Sequence, residues 1–152
     1  MQHLGAVNIG AAGTLVIREK ASEKQIRAEL AKCLPFEAHV ALCAGAEFLR
    51  MAGSDPFASE PLKPDMVRFV TVLSKRPKAA PKLPVSFPTE GDWLVKIIGR
   101  DDRFVFGVYR RHMKTIRYLG SADKLFDVPV TTRNWNTIMA IAKVLSGPPQ
   151  TR

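Results

Sequence analysis

Four prolines in one short stretch set the strongest limit on how this chain can fold. They lie within residues 74–92 and are Pro77, Pro81, Pro84 and Pro88. Proline fixes φ and lacks the amide hydrogen, so this density excludes a regular helix. The segment is therefore expected to form an extended, polyproline-like arm. The arm is also basic, because it carries Lys75, Arg76, Lys78 and Lys82.

The residues before the arm predict β-structure followed by helices. Two β-prone runs, Ala6–Ile9 and Thr14–Arg18, are joined by Gly10–Gly13, which predicts either a tight hairpin or one kinked, bulged strand. Ser22 and Gln25 have the spacing of a capping box, and Pro35 ends the helix that they start. Further elements are then expected in this order: a buried strand over His39–Cys43, a helix over Gly45–Ala52 and a subdomain boundary near residue 62.

The second part of the chain predicts a strand-rich unit that ends in a helix. Met66–Leu73 has the strongest strand pattern, and a hairpin is expected from two strands on either side of Arg100–Asp102. The last helix, over residues 134–146, has an apolar stripe and stops at Gly147-Pro148. The remaining predictions are the hairpin strands Trp93–Gly99 and Arg103–Arg110, a helix over Ser121–Phe126, a strand over Val128–Thr131 and a tail over residues 148–152.

Composition limits the class of protein. A chain of 152 residues can bury a core unaided, and no run approaches the roughly 18 apolar residues that a membrane span needs. The first residues do not form a signal peptide, and Cys33 and Cys43 lie in apolar runs. We therefore expect an α+β protein of the cytoplasm, with both thiols buried and reduced and without membrane association. The three histidines have no partners at ligand spacing, so neither a metal site nor another cofactor is expected.

The charge is distributed very unevenly along the chain. Residues 1–65 contain 7 Lys/Arg and 8 Asp/Glu, a net charge of −1, whereas residues 66–152 contain 16 and 6, a net charge of +10. Such an excess favours an acidic partner such as nucleic acid, and it is equally compatible with a role in solubility alone.

The run Thr131-Thr132-Arg133-Asn134-Trp135-Asn136-Thr137-Ile138 leads into the last helix. It resembles the C-terminal signature of the domain of unknown function 1697 family. Supporting pieces follow the same order along the chain: Ala11–Thr14, Asp55–Phe57 and Phe69–Leu73.

The resemblance implies two ferredoxin-like (α-β plait) subdomains in tandem, over residues 1–62 and 63–147, plus the C-terminal helix. The first subdomain would lack its initial strand and helix, together with a glycine-rich segment. The arm over residues 74–92 would replace the first helix of the second subdomain. An incomplete first plait leaves a sheet edge uncovered, which predicts a homodimer.

A nucleic-acid surface is the leading hypothesis for function. In an RNA-recognition plait the third strand offers two aromatic side chains for base stacking, and Phe104 and Phe106 have that spacing. Alternating phenylalanines in a strand are more usually core residues that pack against a helix, and that is the alternative interpretation. The basic residues that would bind phosphates are Arg103, Arg110, Arg111, Lys114 and Arg117, together with the arm cations Lys75, Arg76, Lys78 and Lys82.

The start of the last helix offers a second hypothesis. Thr132 or Asn134 can cap this helix, which places Arg133 beside its free N–H groups and predicts an anion site that includes Asn136. Plain capping, without an anion, explains the same residues. No catalytic constellation is present, so we expect a non-catalytic binding module. The alternatives are a small-anion-binding protein or enzyme with a pocket between the subdomains, or a structural homo-oligomer.

Overall fold

The computed structural model describes residues 1–148, and residues 149–152 of the predicted tail lie outside that range. Within the described part the chain is a mixed α+β structure with seven strands and four α-helices. Two strands form a hairpin, β1 (Ala6–Ile9) and β2 (Thr14–Ile17). The other elements are α1 (Glu23–Cys33), α2 (Gly45–Ala52), β3 (Met66–Leu73), β4 (Val85–Phe87), β5 (Val95–Asp101), β6 (Phe104–Arg110), α3 (Thr115–Asp123), β7 (Val130–Asn134) and α4 (Trp135–Ser146).

The larger sheet has the order β4-β5-β6-β3-β7, and every neighbouring pair is antiparallel. The strand β3 lies inside this sheet, with Val70 opposite both Phe106 of β6 and Arg133 of β7. Its side chains alternate between the two faces, and both faces bury them. This requires elements on both sides of the sheet.

Each face of the larger sheet packs on its own hydrophobic core. The α4 core contains α2, α4 and Val16 of the hairpin, packed on Val70, Val72, Phe104 and Phe106. The α3 core packs Ala122 and Phe126 on the opposite face, against Phe69, Leu73, Val95, Ile97 and Val105. The sheet thus separates α3 from α2 and α4.

Several sequence predictions are confirmed to within a residue or two. The capping box of Ser22 and Gln25 is present, and Gly45–Ala52 and Met66–Leu73 form the predicted helix and strand. The hairpin β1–β2 and the hairpin β5–β6 are also present.

The prediction of a buried strand over His39–Cys43 was wrong. The segment is irregular, and its backbone oxygens accept hydrogen bonds from arginine side chains: Leu42 O from Arg103 and Val40 O from Arg27. The cysteine prediction was wrong in part, since Cys33 is exposed, whereas Cys43 is half-buried and burial raises the pKa of its thiol. 

Two boundaries near the C-terminus also differ from the prediction. The helix α3 begins at Thr115, six residues before the predicted start at Ser121, and β7 ends at Asn134. Gly120 interrupts the helical pattern in sequence, but Thr115 and Ala122 are buried and anchor α3 against the sheet. In the arm, residues 85–87 pair with β5 and add an edge strand, β4.

The implied tandem of ferredoxin-like subdomains is not confirmed. Residues 1–62 contribute the β1–β2 hairpin and two helices, and Val16, Phe48 and Met51 belong to the core that also contains β3 and α4. No helix among residues 1–148 is long and apolar enough to cross a membrane.

A contact between Phe69 and Gly107 fixes the pairing of β3 with β6. The two residues are cross-strand partners, and a Cβ atom at position 107 would lie 2.3 Å from Phe69 Cζ. The fully buried ring therefore lies directly over the glycine.

We expect Gly107→Ala to lower the free energy of unfolding by about 1–3 kcal/mol, because the buried ring must shift within a packed core. Urea denaturation measures this. Gly120→Ala is the matched control, since a Cβ there meets no atom within 4 Å and alanine favours the helix. Equal midpoints for the two variants would contradict the argument.

Candidate anion-binding site

The phenylalanines predicted to stack on bases lie on the sheet face opposite α3, but α2 and α4 cover them. Phe104 is 1 % exposed and Phe106 is 6 % exposed. The ring centroids of Phe48 and Phe104 are 6.2 Å apart, and those of Phe57 and Phe106 are 6.0 Å apart, both edge to face. Both rings belong to the core, so they do not form a stacking surface.

Arg103, another predicted phosphate ligand, makes hydrogen bonds that hold two segments of the protein together. Its guanidinium donates to Leu73 O (2.9 Å) and to Leu42 O (2.8 Å). It joins the end of β3 to the irregular segment before α2, and its donors are used within the protein.

At the start of the last helix, two residues of the predicted anion site make hydrogen bonds within the protein. Asn134 is the N-cap, since its side chain accepts the Thr137 N–H at 2.9 Å. Arg133 donates to Thr14 Oγ1 (2.7 Å), Ala12 O (2.6 Å) and Thr132 O (2.8 Å). Its guanidinium therefore fastens the hairpin turn to β7.

The side chains of the other two residues of that prediction have different surroundings. The Thr132 hydroxyl bonds the Thr71 hydroxyl at 2.7 Å, and Asn136 is exposed on the first turn of α4. A cleft of about 260 Å³ does lie between the two parts of the chain, lined by Arg27, His39, Ser74 and Thr131 among others. It lies at the start of β7, whereas the predicted pocket was at the start of α4.

The predicted phosphate-binding cations fall into two groups at opposite ends of the sheet. The strand β6 separates them by about 20 Å, at roughly 3.3 Å per residue. At one end, Arg76 forms an ion pair with Asp102 at 2.7 Å, and Lys75, Lys78 and Lys82 are exposed. At the other end lie Arg110, Arg111, Lys114 and Arg117.

The end that carries Arg110 also contains a cluster that the sequence analysis missed. Arg68 of β3 and Lys96 of β5 both pair with Val108 of β6, and Arg110 lies two residues further along. All three cations therefore project from the same face. We call Arg68, Lys96 and Arg110, with the rings of Trp93 and Phe57 and the carboxylate of Glu60, the arginine cluster.

Aromatic rings support the cations of the arginine cluster. Arg110 Cζ lies 4.3 Å from the Trp93 ring centroid and Lys96 Nζ lies 4.8 Å from it. Arg68 Cζ lies 5.4 Å from the Phe57 ring centroid. These are cation–π distances, and they hold the long side chains in place on the sheet.

One carboxylate balances part of this charge. Lys96 Nζ lies 2.9 Å from Glu60 Oε1, and both side chains are 21 % exposed. Among residues 1–148, neither Arg68 nor Arg110 forms an ion pair, and the Nε atom of each is buried without a hydrogen-bond partner. This arrangement can bind an anion, because its positive charge exceeds what the protein neutralises.

No single motif marks the arginine cluster in the sequence. Its members come from β3, β5, β6 and two loops, and only the strand register brings them together. In the described part of the chain, no group of three or more His, Cys, Asp or Glu side chains has the geometry of a metal site.

Comparisons with protein-family models, with curated proteins and with solved structures find no match to this chain. The resemblance to the domain of unknown function 1697 family therefore stays a prediction.

We expect Arg133→Ala to lower the free energy of unfolding by about 1–3 kcal/mol, because the carbonyl of Ala12 and the hydroxyl of Thr14 lose their partner. Urea denaturation measures the change. Asn136→Ala, at an exposed neighbouring position, should stay within about 0.5 kcal/mol of the parent. An Arg133→Ala variant as stable as Asn136→Ala would show that these hydrogen bonds do not hold the hairpin.

Proposed function

We propose that this protein is a non-catalytic binding module for a polyanion, best fitted by single-stranded nucleic acid, and that the Arg110 end of the sheet is its binding surface. The observation that carries the proposal is the arginine cluster, together with three further exposed cations that follow the end of β6 in the chain, Arg111, Lys114 and Arg117. Such cations bind phosphates, and of the two rings in the cluster only Trp93 is not fully buried and can contact a base.

The distribution of charge favours the Arg110 end of the sheet, rather than the end that carries the arm, as the binding surface. Residues 103–122 contain no Asp or Glu and include all four predicted cations of this surface. Lys114 and Arg117 form no ion pair with any described residue, and Arg111 donates to Pro64 O. The arm lies beside Asp102, which neutralises Arg76.

The strand order supports an α-β plait in the second half of the chain. Along the sequence β3 is followed by β5, β6, α3 and β7, and in the sheet β5 and β7 flank the central pair of β6 and β3. We infer a βαββαβ unit whose first helix is replaced by the proline-rich arm, as the family resemblance implies.

The other two hypotheses have less support. An anion site at Arg133 has fewer donors to offer, since three of the five N–H groups of its guanidinium donate to Thr14, Ala12 and Thr132. The homodimer stays a prediction. Within the described residues, β1 and β2 pair only with each other and leave edges open to a second copy.

The proposal is tested by fluorescence anisotropy of labelled single- and double-stranded oligonucleotides at low and at physiological salt. The triple variant Arg111→Ala, Lys114→Ala, Arg117→Ala should weaken single-strand binding at least about tenfold at low salt. Its slope of log affinity against log salt should fall by about 2 units, at roughly 0.7 per lost phosphate contact.

The matched control removes the same charge at the opposite end of the sheet, by Lys75→Ala, Lys78→Ala, Lys82→Ala. It should bind nearly as the parent does. No binding by the parent at low salt, or an equal loss in the two triple variants, would overturn the proposal, the second because it would indicate attraction by net charge alone.

A further inference from the structure

The arginine cluster holds more positive charge than the protein neutralises. Arg68, Lys96 and Arg110 contribute three positive charges and Glu60 contributes one negative charge, which leaves a net +2. Glu90 and Asp92, in the loop before Trp93, form no ion pair with any described cation. Charges that are partly removed from water are normally paired, so the surplus makes this cluster a suitable place for an anion to bind.

The two arginines also keep most of their hydrogen-bond donors unused. A guanidinium has five N–H donors. Arg68 donates from Nη2 to Glu60 O at 3.1 Å, and the Arg110 side chain donates to no acceptor among residues 1–148. Both guanidinium groups lie over rings and their Nε atoms are buried, so an anion would contact their Nη groups.

The strand register places these two residues near enough for both to contact a single small anion. Arg68 pairs with Val108, two residues before Arg110, so Arg68 and Arg110 are diagonal neighbours on adjacent strands. Diagonal neighbours lie about 7–8 Å apart at the backbone, and two arginines at that separation can both reach one group. Their flat donor arrays match the oxygens of a phosphate or a carboxylate.

We propose that Arg68 and Arg110 form a subsite for a phosphate monoester, such as the terminal phosphate of a nucleic acid strand or of a nucleotide. A monoester carries about −1.5 to −2 charges at pH 7, which matches the surplus of the cluster, whereas an internal phosphodiester carries one. This inference rests on the proposed function only for the identity of the larger ligand. The surplus charge of the arginine cluster and the unused donors of Arg68 and Arg110 do not depend on the proposed function.

The experiment compares two single-stranded oligonucleotides of the same sequence, one with a 5′-phosphate and one with a 5′-hydroxyl, by anisotropy at physiological salt. We expect the 5′-phosphate to strengthen binding at least about fivefold. Arg68→Gln and, separately, Arg110→Gln should each reduce that preference to less than about twofold. Arg100→Gln, an exposed arginine on β5, is the matched control and should retain the preference. Circular dichroism establishes that each variant is folded.

A second measurement separates this inference from the proposed function. Calorimetric titration with adenosine 5′-monophosphate, its methyl diester and adenosine requires no long polyanion. Binding of the monoester alone, lost in Arg110→Gln, supports the subsite even if the oligonucleotides fail to bind. Oligonucleotide binding that depends on Arg111, Lys114 and Arg117 but ignores the 5′-phosphate overturns the subsite and leaves the proposed function intact. A preference that persists in both glutamine variants also overturns it.

Discussion

The burial of β3 on both faces is the constraint on which the rest of the structure depends. A strand that hides Phe69 and Leu73 on one side and Val70 and Val72 on the other needs cover on both sides. The helix α3 covers one face, whereas α2, α4 and the hairpin cover the other. These elements pack on Phe104 and Phe106, and the same face continues past Phe57 to the cations of the arginine cluster. The candidate site lies where the hydrophobic face ends.

Local signals in the sequence predicted the elements that local interactions stabilise. The capping box of α1 joins residues three positions apart, and the helix Gly45–Ala52 and the strand β3 each have a recognisable local pattern, although β3 pairs with the distant strands β6 and β7. The errors arose in segments whose conformation depends on residues distant in sequence. His39–Cys43 has a strand-like composition, but its carbonyls accept hydrogen bonds from Arg27 and Arg103. The start of α3 depends on the burial of Thr115, which the Gly120 pattern obscures.

Arginines show most clearly why the site could be predicted only in part. The sequence identified the basic second half and Arg110, but it did not distinguish structural from available guanidinium groups. Arg103 and Arg133 each donate to carbonyl oxygens of segments that they hold in place. Arg68 and Arg110 lie on rings, which hold a guanidinium without using its hydrogen-bond donors. This difference is set by the acceptors nearby, which come from strands and loops distant in sequence.

The arginine cluster has a cost in the unliganded protein, and that cost is an argument for its role. A guanidinium Nε that is buried without a protein acceptor lowers the free energy of unfolding by about 1–3 kcal/mol, because the group loses hydration on folding. Apolar side chains at positions 68 and 110 would avoid that penalty on a face that already buries Val108. The cluster therefore lowers the stability of the fold while it leaves arginine N–H donors without protein acceptors beside Trp93. Such a loss of stability is typical of residues that serve binding rather than folding.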